Sequence, residues 1–356
     1  MPDVLRKAPS WLLDPEGPLV VRKRYLPRAL PWLLRFVAAG RPERVGPIAD
    51  ALRALHGSVH ECYGPILREA GIEDMIRKSG SLVVYGSATG FESASAEWEM
   101  RRLRGAEFEV IDGPELRRIV PALSSDFQRA VLQPDHGYVV DPQALVLKLV
   151  ASLRSRGVGF VRGRAMRIAR ESGELRVVIE DGGGLAADRV VVAAGIWSKT
   201  LLDSLKLSLP LESQRGYHLH LPDAGIQLPM PVAFSDSKFY ATPMATGLRL
   251  AGTVEFAGIA APPDYARARQ LGALAKQWLP DLALGGAQEW MGHRPCLPDS
   301  LPIIGPFPGN PHILLAFGHG HNGMTSAPAT GRLIADMVAQ RKPFIDPKPY
   351  RADRFH

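Results

Sequence analysis

The chain has 356 residues, 46% hydrophobic and 22% charged, which excludes a disordered or fibrous polymer and leaves room for one large domain or two ordinary ones. Its formal charge of +7 would suit anionic ligands or an acidic surface, but the basic residues are scattered, so a solvated basic surface with no nucleic-acid partner is expected. Two cysteines, Cys62 and Cys296, form neither a metal spacing nor a disulfide framework, which suits a reducing, cytoplasmic compartment.

In chain order, residues 1–47 are rich in Pro, Arg and Leu, and a short helix is predicted over 30–37 behind Pro31. Its Trp32, Leu33, Phe36 and Val37 alternate with Arg28, Arg35 and Arg41. A basic amphipathic segment of this kind packs on its own domain, the expectation here, or lies peripherally at the inner face of a membrane. No apolar run approaches the ~18 residues of a membrane span, and the opening residues do not read as a signal peptide. Ile48, Leu52, Leu55 and Val59 repeat at helical spacing, and Gly71 punctuates that helix. A strand over 81–85, a charged helix over 94–104, a short helix from Gly113 to before Pro121 and a strand over 130–133 follow.

Asp141-Pro142 reads as a helix start, a capping carboxylate with proline in the first helical position. The helix is expected to run to about Arg156, stop at Gly157 and bury Leu145, Leu149, Val150 and Leu153. Strands are predicted over 158–161, 175–180 and 190–193, with a hairpin turn at Asp181-Gly182-Gly183-Gly184. Residues 201–290 alternate strand-like runs with turns, then a helix over 263–279, as an antiparallel sheet plus helix would. Arg294 is read in a proline-bracketed turn with Pro295 and Pro298. The apolar run over 312–317 ends at Gly318, and a Gly/His/Asn loop opens a helix that buries Leu333, Ile334, Met337 and Val338 on one face. A strand, a glycine loop and a helix N-terminus present unpaired N–H groups and a positive dipole end to an electron-rich group.

Three sets of motifs carry a resemblance. They are GHRP with PDSLPIIG, FGHGHNGMTSAP and TGRLIAD at 292–336; DRVVVAAGIWS at 188–198 with RGYH at 215–218; and DHGYVVDPQAL at 135–145. Together they resemble the FAD-dependent D-amino-acid oxidase superfamily, with bacterial D-amino-acid dehydrogenases the nearest likeness. The resemblance implies an α/β plus α+β fold. An FAD-binding, Rossmann-like domain of the glutathione-reductase type (141–200 and 295–345) would interleave with an antiparallel-sheet substrate domain (1–140 and 201–294). It places Ala193, Ala194, Gly195 and Trp197 beside the FAD diphosphate and ribityl chain, and Ala165 under the adenine. Gly318, His319, Gly320, Asn322, Gly323, Met324 and Thr325 would form the flavin loop.

Arg294 resembles the family's binder of the substrate carboxylate, a task that suits a two-point guanidinium grip; its competing reading is a surface ion pair with Asp299. Tyr240 and His321 are implied to line the substrate site, and Arg215 and Tyr217 are weaker candidates. His319 and His321 lack acidic or thiol companions in their loop, so no metal site is expected. The implied chemistry is oxidation of a small D-amino acid by hydride transfer to flavin N5, with a quinone among the fitting electron acceptors. A glycine-, sarcosine- or proline-type amine oxidase and a partner-dependent flavoprotein subunit are the alternatives. One departure stands out. The family's G-x-G-x-x-G unit after a first strand is expected to be missing, because Met1 aligns with an internal position and the 181–184 glycines make a hairpin. This chain alone would then not hold FAD tightly, and the missing βαβ unit would come from a longer reading frame or another chain.

Overall fold

The computed structural model describes residue 17, residues 19–171 and residues 173–355; positions 1–16 and 18, part of the expected 1–140 stretch, lie outside the described residues. Its strands are β1 (Leu19–Val21), β2 (Ile76–Arg77), β3 (Ser81–Tyr85), β4 (Glu109–Asp112), β5 (Arg129–Gln133), β6 (Tyr138–Val139), β7 (Ala165–Glu171), β8 (Glu174–Ile179), β9 (Gly184–Ala187) and β10 (Val190–Val192). The later ones are β11 (Glu212–Leu221), β12 (Val232–Phe234), β13 (Phe239–Met244), β14 (Gly247–Phe256), β15 (Gln288–Cys296), β16 (Ile303–Phe307) and β17 (Asn310–Phe317). The helices that position the site are α1 (Leu26–Ala39), α2 (Pro42–Gly57), α3 (Val59–Ala70), α4 (Pro142–Ser155), α5 (Ala266–Trp278) and α6 (Gly323–Val338). None of the described helices is long and apolar enough to cross a membrane.

A nine-stranded mixed sheet runs β15-β11-β14-β13-β12-β3-β5-β4, with β1 added in parallel beside the end of β14. Its long strands alternate as a one-sided sheet should. Leu219, Leu221, Phe239, Ala241, Leu248 and Leu250 are buried and pack against Leu271, Ala275 and Leu279 of α5 and its exit. The opposite face carries His218, Tyr240, Arg249, Ala251, Trp290 and Arg294. A second, three-stranded sheet, β10-β17-β16, pairs β10 with β17 in parallel. Its side toward α6 is buried by Ala329, Leu333 and Ile334, which meet Leu314 of β17 together with Ala51 and Leu55 of α2. The mixed α/β architecture is the one the motifs imply.

Local chemistry explains most boundaries. Asp141 accepts hydrogen bonds from the N–H groups of Gln143 and Ala144 and so starts α4. Gly71 caps α3 at φ 65°, a left-handed conformation open to glycine. Trp32 of α1 packs on Phe256, tying that helix to β14, while Leu26, Leu30 and Leu34 remain exposed.

Three expectations need correction. Residues 158–161 form no strand; Val158, Phe160 and Val161 are exposed, and no described strand offers them a ladder. On α4 only Leu145 is fully buried, and Leu153 is exposed along with Val146 and Leu147. Arg294 lies within strand β15, not in a turn. The following Pro295 is tolerated because β15 is an edge strand, where a missing N–H removes no ladder bond on the outer side.

A buried polar network locks β11 to β14. Glu255 accepts from Arg22 Nε at 2.6 Å and from Tyr217 Oη at 2.7 Å, with Arg215 Nη1 at 3.5 Å. Arg215 is fully buried and also donates to the carbonyls of Gly258, Ala261 and Pro262, pinning that loop to the sheet. Replacing Glu255 with Ala would strand the Arg215 charge. The expected loss is about 3–5 kcal/mol of stability, the usual consequence of breaking a buried pair on one side. Denaturant titration of Glu255→Ala against the parent measures it.

Candidate active site

The site is built where β15, the exit of β10 and the β17–α6 loop meet. On β15, Arg294 stands opposite Gln214 of β11, and two cross-strand glycines, Gly216 and Gly292, face each other next to it. A Cβ on Gly216 would lie 2.1 Å from Arg294 Cζ, so the absent side chain is what lets the guanidinium lie across the sheet. Arg294 Nη1 donates to the Thr253 carbonyl at 2.9 Å. Burial pushes its pKa down, and among the described residues no carboxylate pairs with it. Asp299, the partner in the competing reading, is held by Arg354 in a two-point contact of 2.7 and 3.2 Å.

The loop after β17 reaches Arg294 from below. Gly318 and Gly320 adopt φ 84° and 54°, conformations that favour glycine. Cys296 bridges His319 across this junction, which brings the end of β15 against the loop. A 3-10 turn, Gly320–Asn322, leads directly into α6, and the N-cap Asn322 makes no side-chain cap, so among the described residues no side chain occupies the N–H groups at Gly323, Met324 and Thr325. The helix start is held from behind: Tyr63 donates to the Met324 carbonyl at 2.7 Å, and His56 contacts Ser326 Oγ at 3.0 Å.

The two loop histidines do not converge. His319 Nε2 is engaged with Thr330 Oγ1 at 2.9 Å. His321 is exposed by surface area, yet partial loss of solvent around its ring and then the Arg294 charge push its pKa down to about 4. The exit of β10 gives the third wall. Ala193 and Ala194 are exposed, Gly195 is left-handed at φ 57°, and Trp197 meets His293 edge-on at 5.8 Å. His293 in turn contacts Ser213 Oγ at 2.8 Å. Ala165 opens β7 as an exposed residue.

Of the remaining sequence candidates, Tyr240 is exposed on the same sheet face as Arg294. Its register row, Tyr240–Ala251–His218–Trp290, puts it three strands from β15 and outside the cavity that Arg294 lines. Arg215 and Tyr217 belong to the opposite face and to the Glu255 network. That cavity, about 230 Å³, is lined by Gly216, His218, Arg249, Ala251, Trp290 and Arg294 among others. Sequence reading passed over Arg249, Trp290 and His218, because isolated polar residues on alternating strands look like a solvated face. It also passed over the spacing Gly318-x-Gly320-x-x-Gly323. That spacing lies between β17, the last strand, and α6, so it differs in place from the first-strand unit expected to be missing.

Three histidines of the site carry a pH consequence. Burial is the main cause that lowers His218, His319 and His321 from 6.5 to about 4 each, with neighbouring charges or histidines adding to it. Between those values the unfolded chain binds more protons than the folded one, so stability is full above about pH 6.5 and falls on acidification toward 4. The melting temperature is expected to drop steadily between pH 7 and 4.5. In His319→Gln the slope should be shallower; an unchanged slope would place the protons elsewhere.

The family profile described as FAD dependent oxidoreductase matches residues 22–337. A D-amino-acid oxidase of Bradyrhizobium diazoefficiens is 34% identical over 99% of this chain and 85% of its own length. A glycine oxidase of Pseudomonas aeruginosa is 32% identical over 87% of this chain and 84% of its own length. Among solved structures, a glycine oxidase from Geobacillus kaustophilus superposes with a TM-score of 0.72 at 22% identity, covering 88% of this chain and 83% of that one, a likeness of fold. Matched over most of its length and with a close curated relative, the chain belongs to the family of FAD-dependent oxidoreductases that includes the D-amino-acid oxidases and dehydrogenases.

Proposed function

We propose that this FAD-dependent enzyme oxidises the Cα–N bond of D-amino acids to an imino acid, which water hydrolyses to a 2-oxo acid and ammonia. The observation that carries the reading is Arg294, a deeply set guanidinium with no carboxylate partner among the described residues, near a helix start without a side-chain cap. A desolvated cation of this kind favours a ligand that supplies the missing charge in a two-point contact.

The residues fit the cofactor. The α6 N–H groups at Gly323, Met324 and Thr325, with the glycine conformations at 318 and 320, would receive the electron-rich edge of the flavin. Ala193, Ala194, Gly195 and Trp197 offer a small-residue surface for its chain, and Ala165 a backbone contact for the adenine. His319 acts through Thr330 to hold the loop, and Asn322 turns it into the helix. FAD, when bound, supplies the hydride acceptor. The chain's own contribution is positioning. Arg294 anchors the carboxylate, and neutral His321 lines the mouth without adding a second cation. Tyr240 closes the far side of the same face. No residue is assigned as a general base.

The two-part division, 141–200 and 295–345 for cofactor and 1–140 with 201–294 for substrate, belongs to this proposal. So does a further βαβ element. The outer edge of β10 is unpaired among the described residues, and Val191 on that strand is exposed, as are Leu147 of α4 and Phe160 and Val161 after it. An added parallel strand and helix, in the same or another polypeptide, would cover them. Relatives of both the oxidase and dehydrogenase kind leave oxygen and quinone as the acceptors to compare.

Flavin-loaded protein is expected to be bleached anaerobically by D-amino acids and not by their L-enantiomers. Bleaching by L-amino acids alone, or by none, would contradict the reading. Arg294→Lys should raise the KM by an amount equivalent to about 2–5 kcal/mol, the range for breaking a buried hydrogen-bonded charge contact, while the melting temperature changes little.

A further inference from the structure

The cavity that holds Arg294 contains a second guanidinium. Arg249 lies on β14 opposite His220 of β11 and Thr242 of β13, on the same sheet face. Among the described residues it makes no hydrogen bond or ion pair, and its Nε is buried without a partner. His220 Nδ1, across the strand pair, is likewise buried and unpartnered, while its Nε2 lies 3.0 Å from the Thr246 carbonyl. Asp141, the carboxylate that acts on Arg249 at a distance, is already engaged as the cap of α4.

Other basic clusters are accounted for. The depression near the C-terminus is lined by Arg351 and Arg354, which pair with Asp353 and Asp299. Arg215 and Arg22 share Glu255. Among the described residues, Arg249 and Arg294 are two cations without a carboxylate partner that line one space; Ala251 lies between their rows, and the Trp290 indole folds over Gly292 beside them.

The spacing sets the ligand. The Arg294 guanidinium lies over Gly216, and Arg249 is level with His220, four residues further along β11. At about 3.3 Å per residue that is roughly 13 Å along the strand, before the Arg249 side chain reaches inward. A dicarboxylic amino acid of four or five carbons, with a charge-assisted contact at each end, spans such a gap. Its side chain would cross Ala251, beside the stacked pair His218–Trp290, whose rings lie 4.8 Å apart. A neutral side chain would leave Arg249 buried and unpaired.

We infer that Arg249 is a specificity-determining residue that binds a second carboxylate, so that the preferred substrates are acidic amino acids of the aspartate and glutamate class. This rests on the assignment of the Arg294 face as the amino-acid site.

The test compares two non-reacting acids by calorimetric titration of the intact protein: glutarate, with two carboxylates, and butyrate, with one. Glutarate should bind about tenfold tighter or more, the effect of one added charge-assisted contact. Arg249→Gln should erase that preference, and Arg249→Lys should restore part of it, which separates a lost cation from a misfolded sheet. Equal affinities in the parent, or a preference that survives Arg249→Gln, would overturn the inference. A kinetic arm separates it from the reading it rests on. The ratio of flavin reduction by D-glutamate to that by D-alanine should fall at least about tenfold in Arg249→Gln. If D-alanine reduces the flavin but no glutarate preference exists, Arg249 loses its role and amino-acid oxidation stands. If glutarate preference tracks Arg249 but no amino acid reduces the flavin, the paired arginines stand and the oxidation reading falls.

Discussion

An arginine held deep in a cleft with no carboxylate beside it is the constraint on which the site depends. Removing a guanidinium from water costs several kcal/mol unless hydrogen bonds and an opposite charge replace the solvent. Arg294 donates one such bond, to the Thr253 carbonyl, and its position is fixed by what is missing at Gly216. The fold keeps it there from several sides. The edge strand β15 tolerates Pro295, the Cys296–His319 bridge docks the glycine loop against it, and the Glu255 network fixes the β11–β14 pair beneath it. An anionic ligand would complete this arrangement by supplying an opposite charge.

The second element is the α6 start. Its uncapped N–H groups and dipole favour negative charge within about one turn of the helix end. Tyr63 and His56 tether that end from α3 and α2, and Leu333 and Ile334 bury the helix on β17. The start of α6 is thereby joined, through the Cys296–His319 pairing, to the end of the strand that carries Arg294. In a family whose cofactor accumulates negative charge on reduction, this juxtaposition places binding and electrostatic stabilisation in adjoining segments of chain.

Much of this was legible in the sequence where local chemistry decides the outcome. Asp141-Pro142 announced α4, and the apolar run closing at Gly318 announced β17 and its loop. What was hidden depends on register or on neighbours distant in sequence. Arg294 looked like a turn residue because Pro295 and Pro298 follow it closely, and its place on a sheet edge permits a strand there. The run Val158–Gly159–Phe160–Val161 has strand composition, yet strand composition without a partner edge forms no ladder. Arg215 and Tyr217 resembled site residues, but a strand's two-residue period sends them to the buried face. Arg249 gave no signal in its own strand, since its meaning comes from lacking a partner in three dimensions.

The central claim is that Arg294 anchors a carboxylate against the flavin. The most direct measurement is the visible absorption of the flavin-loaded protein during titration with benzoate, a carboxylate that cannot be oxidised at a Cα–N bond. The account predicts a saturable shift of the flavin bands in the parent, weakened about tenfold or more in Arg294→Lys. A shift of equal affinity in both proteins, or tight benzoate binding that leaves the flavin spectrum unmoved, would contradict it.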